Sequence, residues 1–172
     1  MHPTSRLPFM IRTLLILVFM SQIVGCYTFK GFSVDPSLET FRVATFTIAA
    51  PNAPPNINQT YSESLKRKVS RESRLILDER DPDIQFGGSI KRFFVSSVSP
   101  EPGEFAALQR LEITVQIEYT NFTDPEDKWS QPFSFFADFA PDQNLLDVQD
   151  ELIAVIFDQI NEDLFNKAFT NW

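Results

Sequence analysis

An α+β fold, two helices packed on one face of a mixed, mainly antiparallel sheet of about four strands, is what this sequence predicts, and three stretches predict it. Residues 110–120 alternate strictly: Leu111, Ile113, Val115, Ile117 and Tyr119 fall on one side, and Arg110, Glu112, Thr114, Gln116, Glu118 and Thr120 on the other. Period two sustained over that length describes a strand with one buried and one polar face. Residues 57–74 place Ile57, Tyr61, Leu65 and Val69 four apart, the single stripe of an amphipathic helix. Residues 145–169 carry Leu145, Val148, Leu152, Ile156, Ile160 and Leu164, widened by Ile153, Phe157 and Phe165. A helical band that wide has to lie against a sheet.

The other elements follow in order. Residues 27–39 contain Gly31 and Pro36 and no sustained period, and read as a tether. Residues 41–48 are β-branched and aromatic, a first strand stopped by Pro51, Pro54 and Pro55. Asn56 and Gln59 have the spacing of a capping box at the start of the first helix. Residues 75–77 suit a short strand before the acidic turn 78–83, and residues 84–98 suit a longer one. Within it, Gly87-Gly88 marks a bulge or a close backbone approach; no helix follows, so it is not a phosphate loop. Pro100-Glu101-Pro102-Gly103 makes a turn into the alternating strand, and residues 121–128 make a hairpin loop. The return strand presents Trp129, Phe133, Phe135, Ala137 and Phe139 on its apolar face. Pro132 consigns it to an edge or a bulge, and Phe136 breaks its alternation, either as an exposed aromatic or, the preferred reading, through a kink. Asp147, Asp150 and Glu151 near the start of the last helix and Lys167 near its end suit the helix dipole. No repeat and no linker divides residues 26–172, which form one expected domain.

Residues 1–25 are of another kind. Arg6 and Arg12 are the only charges, an apolar run from Leu14 to Met20 follows, and Ile23, Val24 and Gly25 lead into Cys26, the only cysteine. This is the layout of a secretory signal peptide, and the run is short of the ~20 apolar residues that span a bilayer. Ile23-Val24-Gly25-Cys26 resembles the bacterial lipobox, in which the leader is cut before a cysteine carrying diacylglycerol and an N-acyl chain such as palmitate.

Removing that leader leaves 147 of the 172 residues and takes away two arginines and no acid, so the net charge moves from −8 to −10. So acidic a chain is a poor generic binder of nucleic acid or anionic membrane. The sole histidine, His2, leaves with the leader and Cys26 is committed to lipid, which removes Ser-His-Asp and Cys-His machinery and His or Cys metal sets. No cofactor is expected beyond the lipid on Cys26. Carboxylate pairs such as Asp81 with Asp83, or Asp124 with Glu126, fall in Pro-containing turns where acids are solvated, so no enzyme is expected. One concentration of charge stands out. Lys66, Arg67, Lys68, Arg71 and Arg74, a third of all basic residues, share the first helix; Lys91, Arg92 and Arg110 are the next candidates. They form either a solvated face, helped by Glu63–Arg67 at i,i+4 spacing, or a patch that offsets phosphates or an acidic partner.

Several blocks together resemble a known family. They are residues 46–54, Tyr61-Ser62-Glu63-Ser64-Leu65, Asp83-Ile84-Gln85-Phe86-Gly87-Gly88-Ser89-Ile90, residues 107–115 beginning Ala107-Leu108-Gln109-Arg110-Leu111, and residues 162–172 ending Asn171-Trp172. In this order after a lipobox they resemble the LptE family of lipopolysaccharide-assembly outer-membrane lipoproteins, in its Bacteroidetes branch. The resemblance implies two helices on a four-stranded sheet. It implies a plug that sits in an outer-membrane β-barrel (LptD-like), assists its assembly and contacts lipopolysaccharide. It also implies lipid anchoring on the periplasmic side of the outer membrane; no acid follows Cys26 in Tyr27-Thr28-Phe29-Lys30, unlike surface lipoproteins of that group. The alternative expectation is a binding or adaptor lipoprotein, periplasmic or on the surface, with no part in lipopolysaccharide export.

Overall fold

The structure, a computed structural model, describes residues 34–99 and 108–170. Ile23, Val24, Gly25 and Cys26, the turn at 100–103 and the final two residues lie outside them. Eight elements follow in order: β1 (Thr40–Val43), β2 (Thr47–Ile48), α1 (Ile57–Glu72), β3 (Ile76–Leu77), β4 (Ile84–Val98), β5 (Leu108–Asn121), β6 (Lys128–Phe139) and α2 (Leu145–Phe169).

The sheet has six strands rather than about four, and is mixed rather than mainly antiparallel. Its order is β3-β1-β4-β5-β6, with β2 also on β4. β1 and β2 both run parallel to β4, and β3 runs parallel to β1; β4, β5 and β6 are antiparallel. The expected first strand divides because Val43 opposes Phe86 and Thr47 opposes Ser89, so four steps on one side meet three on the other. The extra residue breaks the ladder and lets Val43 and Phe46 both turn inward, 3% and 1% exposed. The chain then crosses through α1 to reach β3, since parallel neighbours need such a crossover.

β5 keeps the alternation of its sequence: Leu111, Ile113, Val115 and Ile117 are fully buried and Tyr119 nearly so. β6 is an edge strand, which suits Pro132. Its register is unbroken through Phe136, which opposes Glu112 and is 42% exposed, so the expected kink is absent and the aromatic stands on the open face. In β4 the irregularity falls between Ile90 and Arg92, at Lys91, not at the glycines. Gly88 answers the other reading: its φ is +140°, and a Cβ there would lie 1.9 Å from the Gln116 carbonyl oxygen and 3.2 Å from the Phe46 ring. Only glycine lets the backbone of β5 and the ring of Phe46 come so close.

α1 packs on β1, β2 and β3, α2 on β5 and β6, and the helices touch each other. Asn56 makes no side-chain cap, so the capping box does not form; its carbonyl accepts from the Thr60 amide at 3.1 Å. α1 stops at Glu72, short of Arg74, because Ser73 turns extended and its hydroxyl donates to the Val69 carbonyl at 2.6 Å. Asn144 caps α2 by accepting from the Leu146 amide. Among the described residues no helix is long and apolar enough to cross a membrane.

The one-sided burial of β5 is open to test. Val115→Asp places an unpartnered carboxylate at a fully buried position, and should cost several kcal/mol, on the order of the ~5–15 kcal/mol that holds a domain together. Gln116→Asp on the open face should cost much less. Urea unfolding of both variants checks this, and equal losses would refute the assignment.

Candidate functional site

The five cations expected on the first helix do not act as one patch, because the fold sends them in different directions. Lys66 leans toward the turn after β3 and meets Glu79 at 2.9 Å. Lys68 lies on the opposite flank, where it is 8% exposed and bonds Glu72 at 2.7 Å and Glu162 of α2. Its ammonium also stands 5.7 Å from the centre of the Phe165 ring. Burial works against its charge, but hydrogen bonds and attraction from Glu162 and Glu72 outweigh that and raise its pKa. Arg74, just past the helix, donates to the carbonyls of Asp35 at 2.7 Å and Leu38 at 3.4 Å, and so holds the segment entering β1.

Arg67 and Arg71 remain as the outward cations. Arg71 reaches Glu72 at 3.1 Å with its side chain 68% exposed. Arg67 is exposed and has no ion pair among the described residues; its expected partner Glu63 accepts from Gln59 instead, at 2.9 Å.

The reserve candidates share the face of the sheet away from the helices. Arg110 forks onto Asp138 at 2.7 and 2.8 Å, and its guanidinium lies 3.6 Å from the centre of the Phe136 ring. That pair holds the Asp138 carboxyl below the usual range. Arg92 meets Glu112 at 3.0 Å and stands 4.4 Å over Phe94. Each arginine is thus balanced by a cross-strand acid, a pairing that only the strand register discloses. Lys91, the bulge residue, is exposed with no ion pair among the described residues.

One acid of each expected carboxylate pair is taken up by local structure. Asp83 accepts from the amides of Glu39 and Thr40, both at 2.8 Å, and those two bonds hold its carboxyl below the ordinary range. Asp124 accepts from the Glu126 amide at 3.2 Å. A polar cavity of about 830 Å³ opens between the entering segment, the β5–β6 loop and the end of α2. Trp129 lines it, stacked on Tyr119 at 5.3 Å with Lys167 5.9 Å away, beside Asp35, Asp124 and Asp127. Among the described residues no three His, Cys, Asp or Glu side chains are grouped to hold a metal ion.

Lys68→Glu should destabilise the protein by about 2 kcal/mol or more, since it sets three acids together between the helices. Arg67→Glu should stay within about 0.5 kcal/mol. Urea unfolding across pH adds a second check. Lys68 has a raised pKa, so its contribution is complete below the ordinary lysine value of 10.5 and is lost as pH climbs through its folded value. Glu72 has a lowered pKa: burial opposes its charge, but hydrogen bonds from Lys68 and Arg71 prevail, so its contribution is present above 4.5 and fades as pH falls through its folded value. The wild type should therefore show a plateau between these limits that Lys68→Glu lacks.

The chain matches the LptE family, described as lipopolysaccharide assembly, over residues 38–168. No curated protein sequence matches it. Its architecture is similar to solved structures of low sequence identity, among them the following three. A minor lipoprotein of Acinetobacter baumannii aligns at 7% identity and TM-score 0.50, over 76% of this chain and 92% of that one. A hypothetical protein of Chlamydia trachomatis aligns at 9% and 0.53, over 78% and 99%. A protein of Xanthomonas campestris aligns at 11% and 0.52, over 80% and 89%. Identities this low establish a shared fold, while the family match spans α1, α2 and all six strands: the chain belongs to the LptE family of lipopolysaccharide-assembly proteins.

Proposed function

We propose that this protein is a lipid-anchored, non-enzymatic subunit of a lipopolysaccharide translocon, held through Cys26 on the periplasmic side of the outer membrane. There it plugs an LptD-like β-barrel and assists its assembly. The match of residues 38–168 to the LptE family carries the reading. The lipobox Ile23-Val24-Gly25-Cys26 supports the anchor, and the Bacteroidetes branch is part of the proposal. Each acyl methylene buried in a bilayer contributes about 0.8 kcal/mol, so several chains hold the protein almost permanently.

Contact with lipopolysaccharide phosphates runs through Arg67 and Arg71, the outward pair left once Lys66, Lys68 and Arg74 are accounted for, with Lys91 as the accessible cation on the sheet side. In an acidic molecule such local cations are the available phosphate partners, and screening by salt should weaken them.

Tagged protein extracted from outer membrane should bring down a lipopolysaccharide-transport barrel in about equal amount, and Cys26→Ala should fail to enter the membrane fraction when no barrel is present. Recovery without a barrel would favour an adaptor lipoprotein and overturn the translocon reading. Arg67→Glu with Arg71→Glu should lower lipopolysaccharide binding several-fold at low salt and little at high salt, with the fold intact. Unchanged binding would remove these two residues from the contact while leaving the barrel partnership standing.

A further inference from the structure

One end of the sheet gathers exposed apolar side chains that its folding does not use. Ile76 of β3 opposes Thr40, and Leu77 opposes Phe41. Asp83 sits beside Thr40, accepting from its amide at 2.8 Å and its hydroxyl at 3.0 Å. The Phe122 amide donates to the Asp83 carbonyl at 2.7 Å. Ile76, Thr40, Asp83 and Phe122 therefore form one transverse row across four strands, with Leu77 in the next. Ile76 is 69% exposed, Phe122 53% and Leu77 42%.

This is also the end at which the chain arrives from Cys26. Arg74 grips the carbonyls of Asp35 and Leu38, and Asp83 grips the amides of Glu39 and Thr40, so the entering segment is fixed against the row. Only seven residues lie between Cys26 and Val34, a span of at most about 29 Å whatever its conformation. β1 then runs away from the row, so the row is the part of the sheet nearest the tether's attachment. Large apolar side chains are exposed elsewhere too, at Phe94, Phe136, Leu146 and Val155, but those of the row stand where the tether attaches, so a bilayer at the anchor can cover them.

Resting on the lipid-anchor reading above, we infer that this end of the sheet lies on the leaflet that holds the Cys26 acyl chains, with Phe122 and Ile76 seated in its interface. Asp78, Asp81, Asp124 and Glu126, with the cation Arg80 between the first two, lie within four residues of Leu77 or Phe122 in the chain, an acidic excess that suits a zwitterionic surface and opposes an anionic one.

The acylated full-length protein tests this, because its only natural thiol is occupied by lipid. Phe122→Cys, Ile76→Cys and, as a control at the far end of the molecule, Leu146→Cys are labelled with a polarity-sensitive fluorophore and reconstituted in phosphatidylcholine vesicles. Labels at 122 and 76 should shift to the blue and be quenched severalfold more by nitroxide-bearing lipids than the label at 146, and added anionic lipid should reduce the difference. Labels at 122 and 76 as wet as that at 146 would overturn the inference. So would protection that appears only when a barrel is added and that lipid quenchers do not reach, which would make the row a protein interface. Mass analysis of Cys26 separates the two readings: an unacylated cysteine would overturn the anchor and this inference together, whereas acylated protein with wet labels overturns the inference alone.

Discussion

The fold turns on one aromatic ring. Tyr61 of α1 is 0% exposed and meets Phe46 edge-on at 4.8 Å and Phe157 of α2 edge-on at 4.9 Å. Phe46 in turn lies over Gly88, where any side chain would strike it and the Gln116 carbonyl. The sheet, the link between β1 and β2, the first helix and the second helix are thereby joined through four residues. Burying rings of this size contributes about 1.5–3 kcal/mol each, and edge-to-face pairs add about 0.5–1.5 more. There is a cost within it, since the Tyr61 hydroxyl is buried with no hydrogen-bond partner among the described residues. The ring is kept for its shape, and the hydroxyl is tolerated.

Beside that clamp the helices share a polar seam. Asn161 donates to the Ser64 hydroxyl at 2.7 Å, and one turn further along α1 Lys68 ties Glu72 to Glu162. An ion pair of this kind does little for net stability but fixes which helix faces meet, because sliding either helix would strand a buried charge. The seam also bears on function. It withdraws one cation from a helix that looks uniformly basic in sequence, and Glu79 and the entering segment withdraw two more.

What the sequence disclosed and what it hid follow from range. β5 and α2 were legible to within a residue or two because their periodicity is local and unbroken, and Gly87-Gly88 announced a close approach because glycine inside a strand has few other uses. The parallel side of the sheet was legible only in part: residues 75–77 suited a short strand and 41–48 covered β2 and all but the first residue of β1, but the division of that first strand and the parallel pairing with β4 and β1 are encoded in no local pattern. The same holds for the cations. The sequence can count five on one helix, but that Lys68 would meet Glu162, or Arg110 meet Asp138, depends on packing and register. Of the candidate site, the outward pair Arg67 and Arg71 was thus visible only as part of a larger set. The exposed row of Ile76 and Phe122 was invisible, since one fell in a short strand and the other in a hairpin loop, and only the register sets them in one row.

The clamp on the entering segment fixes the point at which the tether leaves this small domain. Were residues 35–40 loose, the chain would have no fixed point of entry to β1. Asp83 instead receives two backbone amides and a hydroxyl from Glu39 and Thr40, and Arg74 holds two carbonyls just before them. Because those bonds hold the Asp83 carboxyl below its ordinary range, it stays ionised at neutral pH, and its contribution is lost only as pH falls through that lowered value. The grip therefore persists wherever the envelope is near neutral. With the start of β1 fixed, the outward direction of Arg67 and Arg71 on one side of the domain, and of the Arg92 and Arg110 face on the other, is set relative to the point where the tether leaves. The plug proposed above, meeting a barrel and a lipid surface together, gains from a fixed point of departure, because that part of the ordering cost is met when the domain folds and is not met again at each encounter.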